Sequence, residues 1–356
     1  MILTVTLNTA LDLTHHVPRL VPHTSHRVTA VTERPGGKGL NVARVLAALG
    51  HEAVITGFAG GPTGEVLRNL LSAEAAEAAE ASGSGEAGRS AGHADGSAGA
   101  DGSAEAGRSA EAPSPTRTPT PLDALVPISG NTRRTLAVVD ESTGDTTQLN
   151  EPGPVVTAPE WDAFLTTYGQ LLDGARAVAL CGSLPPGIHV GAYADLIRRA
   201  RAAGVPVLLD TSGEPLRRGI AARPDLIKPN LDELAQLTGS REPFTAATDA
   251  RRRGAHAVVA SLGPDGILAS AESGTWQAHP PARLKGNPTG AGDSAVAALL
   301  SGLVEGLSWP DRLARAVALS AATVAAPAAG EFDAATYASL LPQVEVTEVP
   351  TAAGRD

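Results

Sequence analysis

The sequence predicts an α/β fold: a mostly parallel sheet covered by helices on both faces, with a small separate β-sheet acting as a lid. Three observations predict it. Short β-branched or apolar runs alternate with Ala/Leu/Arg stretches of helical period, the pattern of βα units. Two segments, Leu13 to Glu33 and Thr135 to Leu149, alternate polar and apolar residues without that period, as half-exposed strands do. The chain has 356 residues, 42% of them hydrophobic, which suits one elaborated α/β domain once a single low-complexity stretch is set aside.

The predicted elements run in order. Strand Ile2 to Leu7 comes first, with Asp12 at its carboxyl side and the first alternating segment after it. A glycine cluster then opens helix Leu40 to Leu49, followed by strand Ala53 to Phe58 and helix Gly64 to Ala73. Beyond the second alternating segment come strand Ala177 to Cys181, helix Val190 to Ala203 and strand Val205 to Asp210. Leu226 to Lys228 reads as a short strand, followed by helices Asp232 to Thr238 and Ala246 to Gly254. Strands Ala257 to Ser261 and Gly266 to Ser270 precede a last helix, Gly292 to Glu305. Parallel strands joined by helices place the helices on both faces of the sheet.

Between Glu74 and Pro121 the composition changes sharply. The stretch has no Leu, Ile, Val, Phe, Trp or Tyr, and it repeats EAGRSA (Glu86 to Ala91, Glu105 to Ala110) and DGSA (Asp95 to Ala98, Asp101 to Ala104). Without apolar side chains it cannot offset its ordering entropy, so a disordered surface insertion is expected over 74–121, with its first residues able to extend the preceding helix. Its eight acidic residues and three arginines carry half of the chain's net charge of −10. That balance, with no long Lys/Arg run, argues against nucleic-acid binding. One cysteine, Cys181, precludes an intrachain disulfide and has no zinc-type partners. No apolar stretch is long enough for a bilayer and no signal-peptide pattern opens the chain, so a cytoplasmic protein without membrane association is expected.

The sharpest local motif is Asn287-Pro-Thr-Gly-Ala-Gly-Asp293, a glycine-rich turn running into a helix. Unpaired N–H groups and the helix dipole favour an anion there. Asp293 either caps that helix or accepts the proton of a hydroxyl attacking a phosphate bound beside it. Pro35-Gly-Gly-Lys-Gly-Leu-Asn41 is a second glycine cluster opening a helix, and it lacks the Walker spacing. Lys38 is there either an anion ligand or a solvent lysine. Asp12, Arg133 and Arg134 each read as a ligand group or as an ordinary turn or edge residue. Lys228-Pro-Asn-Leu-Asp-Glu233 reads either as a bare capping box or as oxygens holding Mg²⁺ through water. The turns Gly182 to Gly187 and Ser261 to Gly266 close strands, and the nine histidines show no catalytic spacing.

Taken in order, Asn8 to Thr14, Gly36 to Arg44, Thr132-Arg133, Gly182 to Gly187, Lys228 to Glu233, Ser261 to Gly266 and Gly290 to Ser294 closely resemble the motifs of the ribokinase-like carbohydrate kinases, the PfkB family. The resemblance covers the chain outside the insertion and implies a ribokinase-like three-layer α/β/α fold, with lid strands within about 12–35 and 132–150. The GGKG cluster, the Thr-Arg pair, GSLPPG and the ending Leu340 to Thr347 are most similar to the branch acting on phosphorylated ketohexoses: 1-phosphofructokinase, tagatose-6-phosphate kinase and the minor 6-phosphofructokinase. Asn150 to Pro154 and the ending favour the first.

The resemblance implies roles for single residues. Asp293 would be the general base, with Gly290, Ala291 and Gly292 forming the anion hole. Asp12, Gly37 and Asn41 would bind sugar hydroxyls, while Lys38 and Arg133 neutralise the phosphate already on the sugar. Lys228 and Asn230 would serve ATP phosphates, Glu233 and Asn230 would reach Mg²⁺ through water, and Ser261, Gly263 and Gly266 would line the nucleotide. The family implies a homodimer paired through the lid. Thr9 and Pro288 depart from family usage, and Ala329-Gly330-Glu331 stands where relatives line a monovalent-cation site, which leaves K⁺ dependence open. A non-catalytic sugar-phosphate sensor on the same fold is the competing class, and an intact Asp293 argues against it.

Overall fold

The computed structural model describes residues 1–83, 119–284, 286–326 and 328–349. The chain opens with β1 (Ile2–Thr6), β2 (Ala10–Val17), β3 (Ala30–Gly36), α1 (Lys38–Ala48), β4 (Ala53–Gly60) and α2 (Gly61–Gly83). Next come β5 (Leu122–Asp123), β6 (Val126–Ile128), β7 (Arg133–Asp140), β8 (Thr146–Asn150), α3 (Ala158–Leu172) and β9 (Ala177–Cys181). They are followed by α4 (Ala192–Ala202), β10 (Val207–Asp210), α5 (Gly213–Ile220), β11 (Leu226–Ile227), α6 (Leu231–Thr238), α7 (Pro243–Arg252) and β12 (Ala257–Ser261). The chain then runs through β13 (Ile267–Ala271), β14 (Gly274–His279), α8 (Ala291–Glu305), α9 (Trp309–Val324), α10 (Ala334–Leu340) and β15 (Glu345–Glu348).

The main sheet is ordered β15, β14, β13, β12, β11, β10, β9, β1, β4, β5, with β6 also on β4. From β12 to β5 every pairing is parallel, and the three pairings from β12 out to β15 are antiparallel. Both faces are covered, so its central strands are apolar throughout. In β1 all five residues are buried, with Leu3 and Val5 entering the core under α3 and α4 and Ile2 entering the core under α1 and α8. Phe164, Tyr168 and Tyr193 fill the first of these cores, and Leu40, Leu46, Leu299 and Leu300 the second.

The lid is a second sheet, ordered β3, β2, β7, β8. In it β2 pairs antiparallel with β3 and parallel with β7, which places Ala10 beside both Gly36 and Arg133. The first alternating segment is thus two strands with a loop between them. It begins at Ala10, before Leu13, because the pairing partner across the sheet, not local polarity, sets the strand's start.

Other boundaries moved for similar reasons. Strand β10 begins at Val207, after Pro206, whose missing N–H suits a strand's edge. Strand β11 ends at Ile227, leaving Lys228 just beyond the sheet. Helix α2 begins at Gly61 and runs to Gly83, ten residues into the low-complexity stretch, since alanine and glutamate sustain a helix once packing has started it. Of the rest of that stretch, 84–118 lies outside the described residues. Helices α3, α5, α9 and α10 and strands β14 and β15 were not among the predicted elements. Among the described residues no helix is long and apolar enough to cross a membrane.

Candidate active site

Four parallel strands end along one edge of the sheet: β1 before Asn8, β9 before Gly182, β10 at Asp210 and β11 before Lys228. Open α/β sheets bind ligands beyond this carboxyl edge. Two helices start there. Gly37, at φ +125°, turns the chain into α1, and a Cβ on it would sit 2.8 Å from Thr6 Cγ2. Gly290, at φ +87°, caps α8 and lies so close to the Ala329 turn that a Cβ would come within 2.9 Å of its Cα. The two helix N-termini bring Lys38 and Asp293 together.

Asp293 is 7% exposed and accepts a hydrogen bond from Asn41 Nδ2 at 2.8 Å. Burial pushes its carboxyl up to about 6; Lys38, the Asn41 bond and Lys228 pull it down, and Asp210 pushes further up. The result is a carboxylate that is ionised at neutral pH yet basic enough to accept a proton. Asp210, 1% exposed, lies between two cations: Lys38 Nζ at 3.1 Å from one oxygen and Lys228 Nζ at 3.4 Å from the other. Burial alone would raise the Asp210 carboxyl, but Lys228 and Lys38 hold it below the ordinary value. Burial works against the Lys38 ammonium too, and Asp210 and Asp293 outweigh it, so Lys38 stays protonated.

The start of α8 presents donors. The Ala291 N–H bonds the Pro288 carbonyl at 3.1 Å, whereas among the described residues the N–H groups of Gly292 and Asp293 have no backbone acceptor. Of the three residues expected to form the anion hole, Gly290 and Gly292 keep N–H groups with no backbone acceptor among the described residues, as does Asp293 beside them, while the Ala291 N–H is taken. Lys228 Nζ would be 3.5 Å from a Cβ on Gly292, so its charge faces the same point. Ser294 to Thr323 at 2.6 Å and Ser320 to the Ala291 carbonyl at 2.9 Å fix this turn to α9.

A cleft of about 430 Å³ leads away from Gly292, lined by Ser261, Gly263, Gly266, Val317 and Val324 among others. Asn230 borders it through a backbone bridge to Ser261. Asn230 and Glu233 form a reciprocal capping box on α6: the Asn230 side chain accepts from Glu233 N at 2.8 Å, and the Glu233 carboxylate from Asn230 N at 2.9 Å. The bare capping reading is thus real, and each side-chain oxygen keeps lone-pair capacity.

On the opposite side Asp12 faces the site from the lid. Burial raises its carboxyl despite a hydrogen bond from Thr135 and the charges of Arg133, Arg44 and Arg34. A Cβ on Gly36 would fall on its carboxyl group, so only glycine lets the β3 backbone pass. Arg133 Nε donates to the Asn8 carbonyl at 3.1 Å and Nη1 to the Glu151 carbonyl at 3.3 Å. Arg133 also lines a hollow of about 560 Å³ with Thr63, Asn131, Pro152 and Gly153. Arg134 points out and pairs with Glu151 at 2.7 Å.

Lys38, Asn41, Lys228, Gly292 and Asp293 therefore meet at one point, with Asp12 and Arg133 on the lid side and Ser261, Gly263 and Gly266 along the cleft. Sequence reasoning missed Asp210, which pairs with both lysines. Its one signal was a charged residue closing the apolar run Val207 to Leu209. It also gave no role to Arg44 or Arg34; Arg34 on β3 reaches Glu331 at 2.5 Å, tying the lid to the turn that packs on Gly290.

A buried carboxylate beside open helix N–H groups, two lysines and a nucleotide-sized cleft defines a phosphotransferase of the ribokinase-like α/β class. The family model for pfkB family carbohydrate kinases matches residues 4–79 and 123–335, and the chain belongs to that family. It is an ATP-dependent phosphotransferase. Phosphofructokinase-2 from Escherichia coli, solved in complex with potassium, is similar at 28% identity and a TM-score of 0.79, over 96% of this chain and 98% of that one. The same enzyme with fructose-6-phosphate aligns at a TM-score of 0.76, with the same identity and coverage. A possible 1-phosphofructokinase from Thermotoga maritima, 23% identical, shares the fold at a TM-score of 0.78 over 98% of this chain and all of that one.

Proposed function

We propose that the chain is a 1-phosphofructokinase, transferring the γ-phosphoryl group of ATP to the 6-hydroxyl of fructose 1-phosphate. The observation that carries the phosphoryl transfer is the placement of buried Asp293 beside the open N–H groups of Gly292 and Asp293, between Lys38 and Lys228. Asp293 takes the proton of the attacking 6-hydroxyl as the sugar oxygen bonds to the γ-phosphorus, and the bond from the γ-phosphorus to the β,γ-bridging oxygen breaks, ADP leaving with that oxygen and its electron pair. The Gly292 and Asp293 donors and Lys228 hold the charge that develops on the transferring group. Asn41 and Asp12 hold the sugar, and Lys38 and Arg133 neutralise the phosphate it already carries.

Among the described residues no three His, Cys, Asp or Glu side chains form a metal cage. That suits magnesium, which is normally bound by one or two carboxylates plus nucleotide phosphates and water. Glu233 and Asn230, through water, would hold it, and it would neutralise the triphosphate. The lid excludes water that would otherwise compete as acceptor. Its exposed Val28, Val31 and Leu149 support pairing with a second copy, hence a homodimer, and a cytoplasmic location fits the lone cysteine.

The preference for the 1-phosphate rests on the resemblance of Asn150 to Pro154, a segment that closes on Asn8 and Arg133. The likeness to a structure holding fructose-6-phosphate favours a second reading, a 6-phosphofructokinase or tagatose-6-phosphate kinase, in which the same cations meet the other end of the sugar. Asp293→Asn tests the mechanism. It should lower turnover by about 10²-fold or more with substrate affinity retained, and unchanged turnover would show that Asp293 is not the base.

A further inference from the structure

We propose that Arg44 is a positioning residue: clamped by Glu74, it fixes the Asn41 amide so that Nδ2, and not the carbonyl oxygen, faces Asp293. The proposal rests on the reading of Asp293 as the base. Arg44 lies one turn after Asn41 on α1, and its Nη1 donates to Asn41 Oδ1 at 3.2 Å. A guanidinium has donors only, so it can hold the amide's oxygen but never its NH₂ group. The two ends of an amide are nearly equal in shape, and without this anchor a flipped Asn41 would set its oxygen against the Asp293 carboxylate.

Arg44 is itself immobilised from three sides. Its Nε and Nη2 reach both carboxylate oxygens of Glu74 on α2 at 3.0 Å, and Nη2 also donates to the Pro35 carbonyl on β3 at 2.7 Å. Gly330 closes the third side: a Cβ there would lie 3.1 Å from Asn41 Oδ1 and 3.2 Å from Arg44 Cδ. Glu74 thus has a task in the site although it stands at the head of the low-complexity stretch.

The other charged or titratable groups facing Asp293 are Lys38 on α1, Asp210 on β10, Lys228 beyond β11 and the Cys181 thiol on β9; Asp12 and Glu74 face Arg44. Among the described residues none of these hydrogen-bonds the Asn41 amide, whose side-chain partners are Asp293 and Arg44. Losing the Asn41 bond removes a contact that favours the ionised base, so the base should titrate higher.

The test is the pH profile of kcat/KM for the sugar phosphate at saturating Mg-ATP, which reports the base in the enzyme–ATP complex before the sugar binds, for wild type, Arg44→Met, Arg44→Lys and Glu74→Ala. Titration of the sugar phosphate is common to all four and cancels in the comparison. Arg44→Met should move the acidic limb up by about one unit, a deficit of about fivefold at pH 6 that vanishes by about pH 8.5. Arg44→Lys, keeping the charge without the fork, should fall between. Glu74→Ala should shift the limb the same way by less, and it carries the test if Arg44→Met does not fold; ATP affinity measured by calorimetry reports folding. A deficit equal at every pH, or a limb that stays or moves down, overturns the proposal while leaving the base intact, provided Asp293→Asn is inactive. An active Asp293→Asn overturns both.

Discussion

Replacing Asp293 by asparagine should cost turnover and gain stability, with a pH signature that follows from where the carboxylate sits. Burial raises its pKa to about 6 from the ordinary 3.8. Folding therefore favours the protonated form, and keeping the ionised form in the native state costs about 3 kcal/mol for a shift of about two units. Below pH 4 the group is protonated in both folded and unfolded chains, and the cost is absent. It grows as pH rises from 4 and is complete above about 6. An asparagine resembles the protonated acid in shape and still accepts from Asn41 Nδ2, so the variant escapes the cost. Urea denaturation of both proteins at pH 4, 6 and 8 measures it. The variant should match wild type at pH 4 and exceed it by up to about 3 kcal/mol at pH 8. A variant that is less stable than wild type at pH 8, or a gap that does not change with pH, would refute the strained, buried base.

Further outcomes follow from other contacts. Lys228→Met should raise the KM for ATP at least about tenfold, as expected for a lost charge-assisted contact, and leave the sugar phosphate KM nearly unchanged; steady-state kinetics with each substrate varied in turn checks it, and the reverse pattern would move Lys228 to the sugar side. Gly290→Ala should destabilise by about 1–3 kcal/mol or more, read as a lowered melting temperature, because it combines a positive φ with a Cβ 2.9 Å from the Ala329 backbone. Removing 84–118 behind a short linker should leave melting temperature and turnover unchanged, since that stretch has no large apolar side chain to contribute, whereas a deletion beginning at Glu74 should lower activity by freeing Arg44.

The sheet and the two glycine turns were legible because each is written locally. Strands such as Ala177 to Cys181 and Ala257 to Ser261 are continuous apolar runs between turn residues, and their bounds agree with the structure. Helix α3 was legible in principle: Thr157-Ala-Pro-Glu160 is a capping box with proline in the first turn, but its weak apolar stripe hid it. Helix α9 was masked by alanine, which packs on α8 without a strong period. The edge strands β14 and β15 depend on each other across nearly seventy residues of chain, as the pairing of Gln277 with Thr347 shows, and such pairing leaves no local mark. In the site, Gly290 to Asp293 and Lys38 stood out as motif residues. Asp210, Arg44 and Glu74 did not, because their importance lies in partners brought together by the fold.

The most direct test of the central claim, ATP-dependent phosphorylation of a phosphorylated ketohexose, is ADP release from Mg-ATP with fructose 1-phosphate, fructose 6-phosphate, tagatose 6-phosphate and free fructose offered in parallel. The account predicts turnover with the phosphorylated sugars, fructose 1-phosphate giving the highest kcat/KM, and little with free fructose. A 6-phosphate in first place would keep the base and anion site and reassign the clamped end of the sugar. No ADP above the no-sugar rate with any of the phosphorylated sugars, or free fructose as the preferred acceptor, would contradict it.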